Sequence, residues 1–245
     1  MQGHASLIEA AKSLSDYVLV SVFVNPLQFE DAKDLENYPR SPDTDREIAK
    51  NAGASAVWFP SVQEIFGEDL EPISAGKIGD LYEGAARAGH FSGMLTAVNQ
   101  LFQLVKPTYA IFGEKDFQQL FLIKNMVKES GLPIKIIGAP TIRESDGLAM
   151  SSRNIRLNSV GRDAALVISR ALFAAAKESS LSDQKRLLVQ ILDSEPNFRL
   201  DYAVIIDEET FSPAVEETIH KRALVAGWVN GVRLIDNISM GKFNG

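Results

Sequence analysis

Apolar, β-branched runs too short for helices alternate with amphipathic stretches of helical length through the first 140 residues of this chain. "YVLVSVFVNP" is the first such run, closed by Asn-Pro, as expected of a strand buried on both faces of a parallel sheet. "SPDTDREIAKNAGA" then reads as a helix with acids in its first turn and a glycine stop, and "AVWFP" as a short strand. The order recurs: "GMLTAVNQLFQLVKP" is a helix ending at proline, "YAIFGEKD" a strand and loop, "FQQLFLIKNMVKESGLP" a helix, and "IKIIGAP" a strand. This alternation predicts an α/β fold with a doubly wound parallel sheet.

The opening "MQGHASLIEA" reads as a helix whose start carries Gly3 and His4, a pairing suited to gripping phosphate. A strand that would deliver the chain to that helix is missing from the pattern. From about Thr141 the grammar changes. "TIRESDGLAMSSRNIRLN" is polar and turn-rich, two helical stretches follow around residues 160–193, and "LDYAVIID" and "RALVAGWVNGVRLID" read as strands. The expected division is a doubly wound domain over residues 1–141 and a smaller α+β domain over residues 142–245.

Composition narrows the function. A formal net charge of −7 argues against a nucleic-acid binder, whose partner calls for a basic face, but leaves room for a local basic pocket for a small phosphate ligand. Without cysteine the chain has no disulfide framework, thiolate zinc site or cysteine nucleophile. No apolar run reaches about 18 residues, and residues 1–15 lack the plan of a signal peptide, so a soluble, cytoplasmic protein with no membrane partner is expected.

Ligands of doubly wound sheets bind beyond the carboxyl ends of the strands. In "FVNPLQF" the amides of Asn25 and Gln28 could hold a small carboxylate or hydroxyl there, although the same residues suit a plain Asn-Pro turn. "FGEKDFQQL" sets Glu114, Lys115 and Asp116 at a strand end, with Gln118 and Gln119 in the next helix's first turn. Gly113 allows close backbone approach and Lys115 supplies a point charge for phosphate, or the segment is a solvated turn. "GLAMSSRN" places the hydroxyls of Ser151 and Ser152 beside Arg153, suited either to triphosphate oxygens or to a serine cap with a surface arginine. "RAGHFSGM" puts Arg87 and His90 between glycines in what reads as a flexible loop, and His220 reads as surface. Asp43 and Asp45, near a helix start, could meet Mg²⁺ through water or simply complement the helix dipole.

Taken in order, "GH" at a helix start, "FVNPLQF", "YPR", "GHFSG", "FGEKDFQQL", "DGLAMSSRN" and "VRLIDNI" resemble the pantoate–β-alanine ligases, the pantothenate synthetase family of nucleotidyltransferases with an HxGH signature and a KMSKS-like loop. The resemblance runs almost from end to end. It implies a Rossmann-like domain with a smaller C-terminal lid, a homodimer, and an ATP- and Mg²⁺-dependent ligation of pantoate to β-alanine through pantoyl adenylate, releasing pyrophosphate and then AMP. His4 matches the second histidine of HxGH, the family's acid catalyst, with Gly3 beside it on the ATP. Gly113, Glu114, Lys115 and Asp116, with Ile142, Met150, Ser151, Ser152 and Arg153, match ATP-binding segments. Gln28 and Gln119 match pantoate-binding glutamines, with Asn25 and Arg87 on the same pantoate and β-alanine side. Asp43 and Asp45 lie where the family places acids near magnesium.

The KMSKS-like segment has no lysine at its start, which leaves Lys115 and Arg153 to supply positive charge. Met1 stands where the first HxGH histidine belongs, and the family's first strand and glycine loop are absent from the sequence. The expectation is a chain that keeps its pantoate-side and KMSKS-side contacts but binds ATP weakly and turns over slowly. Two other readings are a binding remnant without chemistry and a nucleotidyltransferase acting on another small carboxylic acid.

Overall fold

A computed structural model describes residues 2–28, 41–68 and 70–241, which divide into two compact units. The first comprises Met1–Gly113 with Phe117–Ala139, and the second Glu114–Asp116 with Pro140–Gly245.

The first unit alternates as the sequence pattern predicts. Helix α1 (Gln2–Lys12) precedes β1 (Leu19–Ser21), α2 (Pro42–Asn51), β2 (Ala56–Trp58) and α3 (Val62–Phe66). Then come α4 (His90–Val105), β3 (Tyr109–Gly113), α5 (Phe117–Glu129) and β4 (Lys135–Ala139). Strand β1 runs parallel to β2, with Leu19 opposite Ala56, and β3 runs parallel to β4, with Tyr109 opposite Lys135. The parallel sheet is thus present as two pairs, and among the described residues no ladder joins them. The long apolar run after α1 shortens to a three-residue strand whose Leu19 and Val20 are half-buried. A strand paired on one side only keeps part of its backbone and side chains open.

The core of this unit lies between helices. Phe91, Met94, Leu95 and Phe102 recur at helical spacing along α4 and meet Leu122, Ile123 and Met126 of α5. Helix α4 stops where Lys106 turns left-handed, its N–H bonding the carbonyl of Phe102, just before Pro107. A smaller cluster of Ile8, Val18 and Ala49 ties α1 to β1 and α2.

The second unit is α+β. Helices α6 (Ser159–Ala175) and α7 (Leu181–Asp193) pack on an antiparallel sheet of β5 (Arg199–Asp207), β6 (Lys221–Val229) and β7 (Val232–Ser239), with β6 in the middle. The run "RALVAGWVNGVRLID" is a hairpin because Asn230 and Gly231 both take positive φ, 50° and 74°, as a tight two-residue turn requires. Val167, Ile168 and Leu172 of α6 are buried against Ile205, Val225 and Leu234, each large apolar side chain contributing about 1.5–3 kcal/mol. Asn158 starts α6 by accepting from the Gly161 amide at 2.8 Å, and it also accepts from Asn230 at 2.7 Å, tying the helix start to the hairpin turn.

Candidate active site

The first unit gathers one set of candidate groups at strand ends and helix starts. His4 is exposed in the first turn of α1, and the adjacent carbonyl of Gly3 accepts from the Ser6 hydroxyl at 2.9 Å. Helix α1 packs on β3, with Leu7 alongside Gly113. A methyl at Gly113 would meet nothing closer than Leu7, at 3.9 Å, so the glycine leaves the end of β3 open rather than relieving a crowded contact.

Beyond β1, Asn25 is buried, its side-chain oxygen accepting from the Leu27 amide at 3.0 Å and its amide donating to the carbonyl of Gly93 in α4 at 3.0 Å. Asn25 thereby builds the turn that ends in Gln28. The close seat of that turn on α4 requires Gly93, since a Cβ there would lie 2.4 Å from the Leu27 carbonyl oxygen. Arg87 donates to the carbonyl of Gln28 at 3.2 Å and lies 3.1 Å from Nε2 of His90.

His90 departs from expectation. It begins α4 and is buried beside Phe91, where the sequence pattern predicts a flexible surface loop; Gly89 takes φ 74° immediately before it and turns the chain into the helix. Gln118 and Gln119 divide their labour. Gln118 is buried and structural, donating to the carbonyls of Ile78 and Leu81 and accepting from the Glu83 amide, whereas Gln119 is only half-buried. Asp43 and Asp45 lie in the first turn of α2, and Asp43 pairs with Arg46 at 3.0 Å. Among the described residues no group of three histidine or acidic side chains could hold a metal ion. Tyr38–Arg40 of "YPR" and Phe29 of "FVNPLQF" lie outside the described residues.

The second unit holds the other set around a small open cleft. Lys115, Ser151, Arg153, Asn154 and Asp236 line it, over apolar Leu148, Ile168 and Leu234. Ser151 accepts from the Arg153 amide at 3.2 Å and so starts the short helical turn Ser152–Arg156. The capping and the ligand-facing readings of this serine are therefore compatible. Asn154, buried, donates to Glu144 at 2.7 Å and to the carbonyl of Ala149 at 3.0 Å. The Met150 amide donates to the carbonyl of Ile142 at 2.9 Å, closing a tight excursion that turns at Gly147 with φ 94°. Ile142 and Asp116 are exposed, while Met150 is half-buried.

Arg162 pins that excursion by pairing with Glu144 and Asp146. Hydrogen bonds from Asn154 and Arg162 hold the Glu144 carboxyl below its usual range. Burial works against ionisation of Asp146, yet the Leu148 amide and Arg162 outweigh it and hold that carboxyl low as well. Behind the cleft, Arg143 meets Asp236 in a two-pronged bond at 2.6 and 3.1 Å. Burial pushes the Asp236 carboxyl up, and Arg143 opposes that shift.

Residues 1–239 match the pantoate-beta-alanine ligase family model. The chain belongs to this family. A pantothenate synthetase of Thermus thermophilus is 41% identical over 245 residues, covering 98% of this chain and 89% of the relative. The pantothenate synthetase of Phocaeicola vulgatus is 43% identical over 243 residues, covering 96% and 86%. A crystal structure of the Thermus thermophilus enzyme matches with a TM-score of 0.91 at 40% identity, covering 98% of this chain and 90% of that one. A pantoate-beta-alanine ligase from Francisella tularensis, complexed with beta-gamma ATP and beta-alanine, matches with a TM-score of 0.76 at 34% identity, covering 98% and 85%.

The chain is therefore a ligase with a Rossmann-like parallel domain and an α+β domain, as the motifs imply. Asp236 at the cleft, Arg143 behind it and Asn237 beside Lys115 are not singled out by the sequence pattern. "VRLIDNI" is visible as a motif, and an acid and an amide side by side in an apolar strand are the available signal.

Proposed function

We propose that this chain joins pantoate to β-alanine through pantoyl adenylate, using ATP and releasing pyrophosphate and AMP. The observation that carries the reading is the family match over residues 1–239, within which the predicted ligand groups recur at strand ends and helix starts. The alternatives of another carboxylic acid or a binding remnant lack a comparable observation.

The chemistry explains the residue types. A carboxylate is a poor acyl donor, so its oxygen first attacks the α-phosphorus of ATP; the new P–O bond forms as the bond to pyrophosphate breaks. Negative charge moves toward the departing phosphates. Lys115, Ser151, Ser152 and Arg153 would meet it with an ammonium, two hydroxyls and a guanidinium, and His4 with Gly3 would meet it at the positive end of α1. Losing one such donor typically costs about 3 kcal/mol, on the order of a hundredfold in rate. The neutral amine of β-alanine then attacks the acyl carbon, the C–O bond to AMP breaks, and the amine loses a proton. That step needs positioning more than side-chain chemistry.

Gln28 and Gln119 would hold pantoate, with Asn25 and Arg87 shaping the Gln28 turn; Gly113, Glu114, Asp116, Ile142 and Met150 would frame the nucleotide. Residues 1–141 then serve as the pantoate and nucleotide domain and residues 142–245 as the lid. Asp43 and Asp45, in the first turn of α2, would be the carboxylates to hold Mg²⁺ through water, where the ion would neutralise phosphate charge; Asp43 also pairs with Arg46 in a surface contact. A cytoplasmic homodimer without nucleic-acid or membrane partners completes the reading. The net charge of −7 disfavours a nucleic-acid partner, and among the described residues no helix is long and apolar enough to cross a membrane.

The test is a two-stage reaction. ATP, Mg²⁺ and pantoate without β-alanine should release pyrophosphate stoichiometric with enzyme, and β-alanine added afterwards should release AMP. Pyrophosphate release that ignores pantoate would overturn the reading.

A further inference from the structure

We infer that Asn237 on β7 is a positioning residue for the ligation, holding Lys115 at the cleft by gripping the main chain at its root. The inference rests on the reading of Lys115 as a phosphate-facing group. Asn237 is buried, and its side-chain amide donates to two successive carbonyls, those of Glu114 at 2.9 Å and Lys115 at 2.8 Å. The Glu114–Asp116 segment is a three-residue helical turn that leaves β3 at Gly113 and runs directly into α5, so α5 continues it on one side only. Clamping both carbonyls to β7 adds a second anchor at the root of Lys115, so that mainly the flexible stem remains to be ordered when phosphate binds.

The orientation of the Asn237 amide is itself determined. Its oxygen accepts from Nη1 of buried Arg222 at 2.7 Å, which turns the nitrogen toward the carbonyls. Arg222 donates in turn to Glu208 at 2.8 Å and reaches Glu114 at 3.4 Å. The Asn237 main-chain amide donates to Asp236 at 2.8 Å, and Asp236 lines the cleft with Lys115 while meeting Arg143. A network of this polarity costs stability wherever it is incompletely satisfied, and an apolar strand could have served packing alone. What it supplies instead is a fixed place for one short turn.

The decisive experiment is steady-state kinetics with ATP varied, on Lys115→Ala, Asn237→Asp and the double variant, with thermal melting alongside. Asn237→Asp keeps the shape and the acceptor for Arg222 but replaces the gripping donor with an oxygen. The expected result is a roughly tenfold loss in kcat/KM for ATP, with KM for β-alanine within twofold of the parent, and less than a further twofold loss when Asn237→Asp is added to Lys115→Ala. Should Asn237→Asp fail to fold, the uncharged Asn237→Ser removes the same two-carbonyl grip and carries the same test. Losses that multiply in the double variant, or an Asn237→Asp chain with the parent's kcat/KM for ATP, would overturn the inference. A Lys115→Ala chain with unchanged kinetics would overturn it too, and would locate the fault in the reading of Lys115 rather than in Asn237.

Discussion

Arg87 donates to the main-chain carbonyl of Gln28 at 3.2 Å, linking the turn before α4 to the turn that follows β1. The same guanidinium lies 3.1 Å from Nε2 of buried His90, so one planar fork spans both neighbours. Gln28 therefore owes its position to residues nearly sixty places along the chain. A charge-assisted hydrogen bond of this kind contributes about 1.5–3 kcal/mol. Arg87→Ala is expected to lower kcat/KM for pantoate by roughly tenfold or more on that basis. Arg87→Lys should recover only part of it, because an ammonium lacks the fork. Kinetics with pantoate varied check both, and equal activity of all three chains would remove Arg87 from the account.

Gly93 gives a second, purely steric prediction. A β-carbon there would sit 2.4 Å from the Leu27 carbonyl oxygen and 2.9 Å from its carbon, so the Asn25–Gln28 turn must move or α4 must shift. Gly93→Ala should lose about 1–3 kcal/mol of stability by overpacking, despite alanine's better helix propensity. Denaturant unfolding measures this directly, and a chain stabilised by the substitution would contradict the packing described for that turn.

Arg153 separates catalysis from folding. Its side chain is exposed at the cleft, and only its main-chain amide serves the Ser151 cap. Arg153→Ala should lower kcat on the order of a hundredfold while leaving the melting temperature nearly unchanged. A stability loss without a rate loss would reverse the assignment.

The Arg162 network sets an acid limit. Glu144 and Asp146 both have carboxyls held below their usual range in the folded chain, so the unfolded chain binds protons more readily. Stability from these groups is fully present above the ordinary carboxylate range, about pH 4, and is lost as pH falls through their lower folded values. Arg162→Met should cost about 1 kcal/mol or less near neutrality, since all three groups are partly exposed, and the gap from the parent should close on acidification. A gap that widens toward low pH would contradict the sign.

Much of this was legible in the sequence because local rules and global fold agree. Helical period with a closing proline or glycine locates α5 and all but the first turn of α4, while α6 and α7 fall in the two stretches expected around residues 160–193, and the run that holds β6 and β7 reads as strands. What was not legible depends on contacts between distant segments. Glycines flanking His90 resemble a loop until Gly89 is seen to turn the chain into α4 and Gly93 to admit the Leu27 backbone. Residue type alone does not separate Gln118 from Gln119; the resemblance matches only the second to a pantoate-binding glutamine, and the fold gives a physical reason, since the first is consumed by Ile78, Leu81 and Glu83. Asn237 lies 122 residues from the lysine whose carbonyl it holds, beyond any local pattern.

The most direct measurement is AMP and pantothenate formation by the purified 245-residue chain given ATP, Mg²⁺, pantoate and β-alanine, with each organic substrate omitted in turn. The ligase account predicts AMP and pantothenate in equal amounts, with steady turnover only when both organic substrates are present. AMP formation indifferent to pantoate, or none at all from a folded chain, would contradict it.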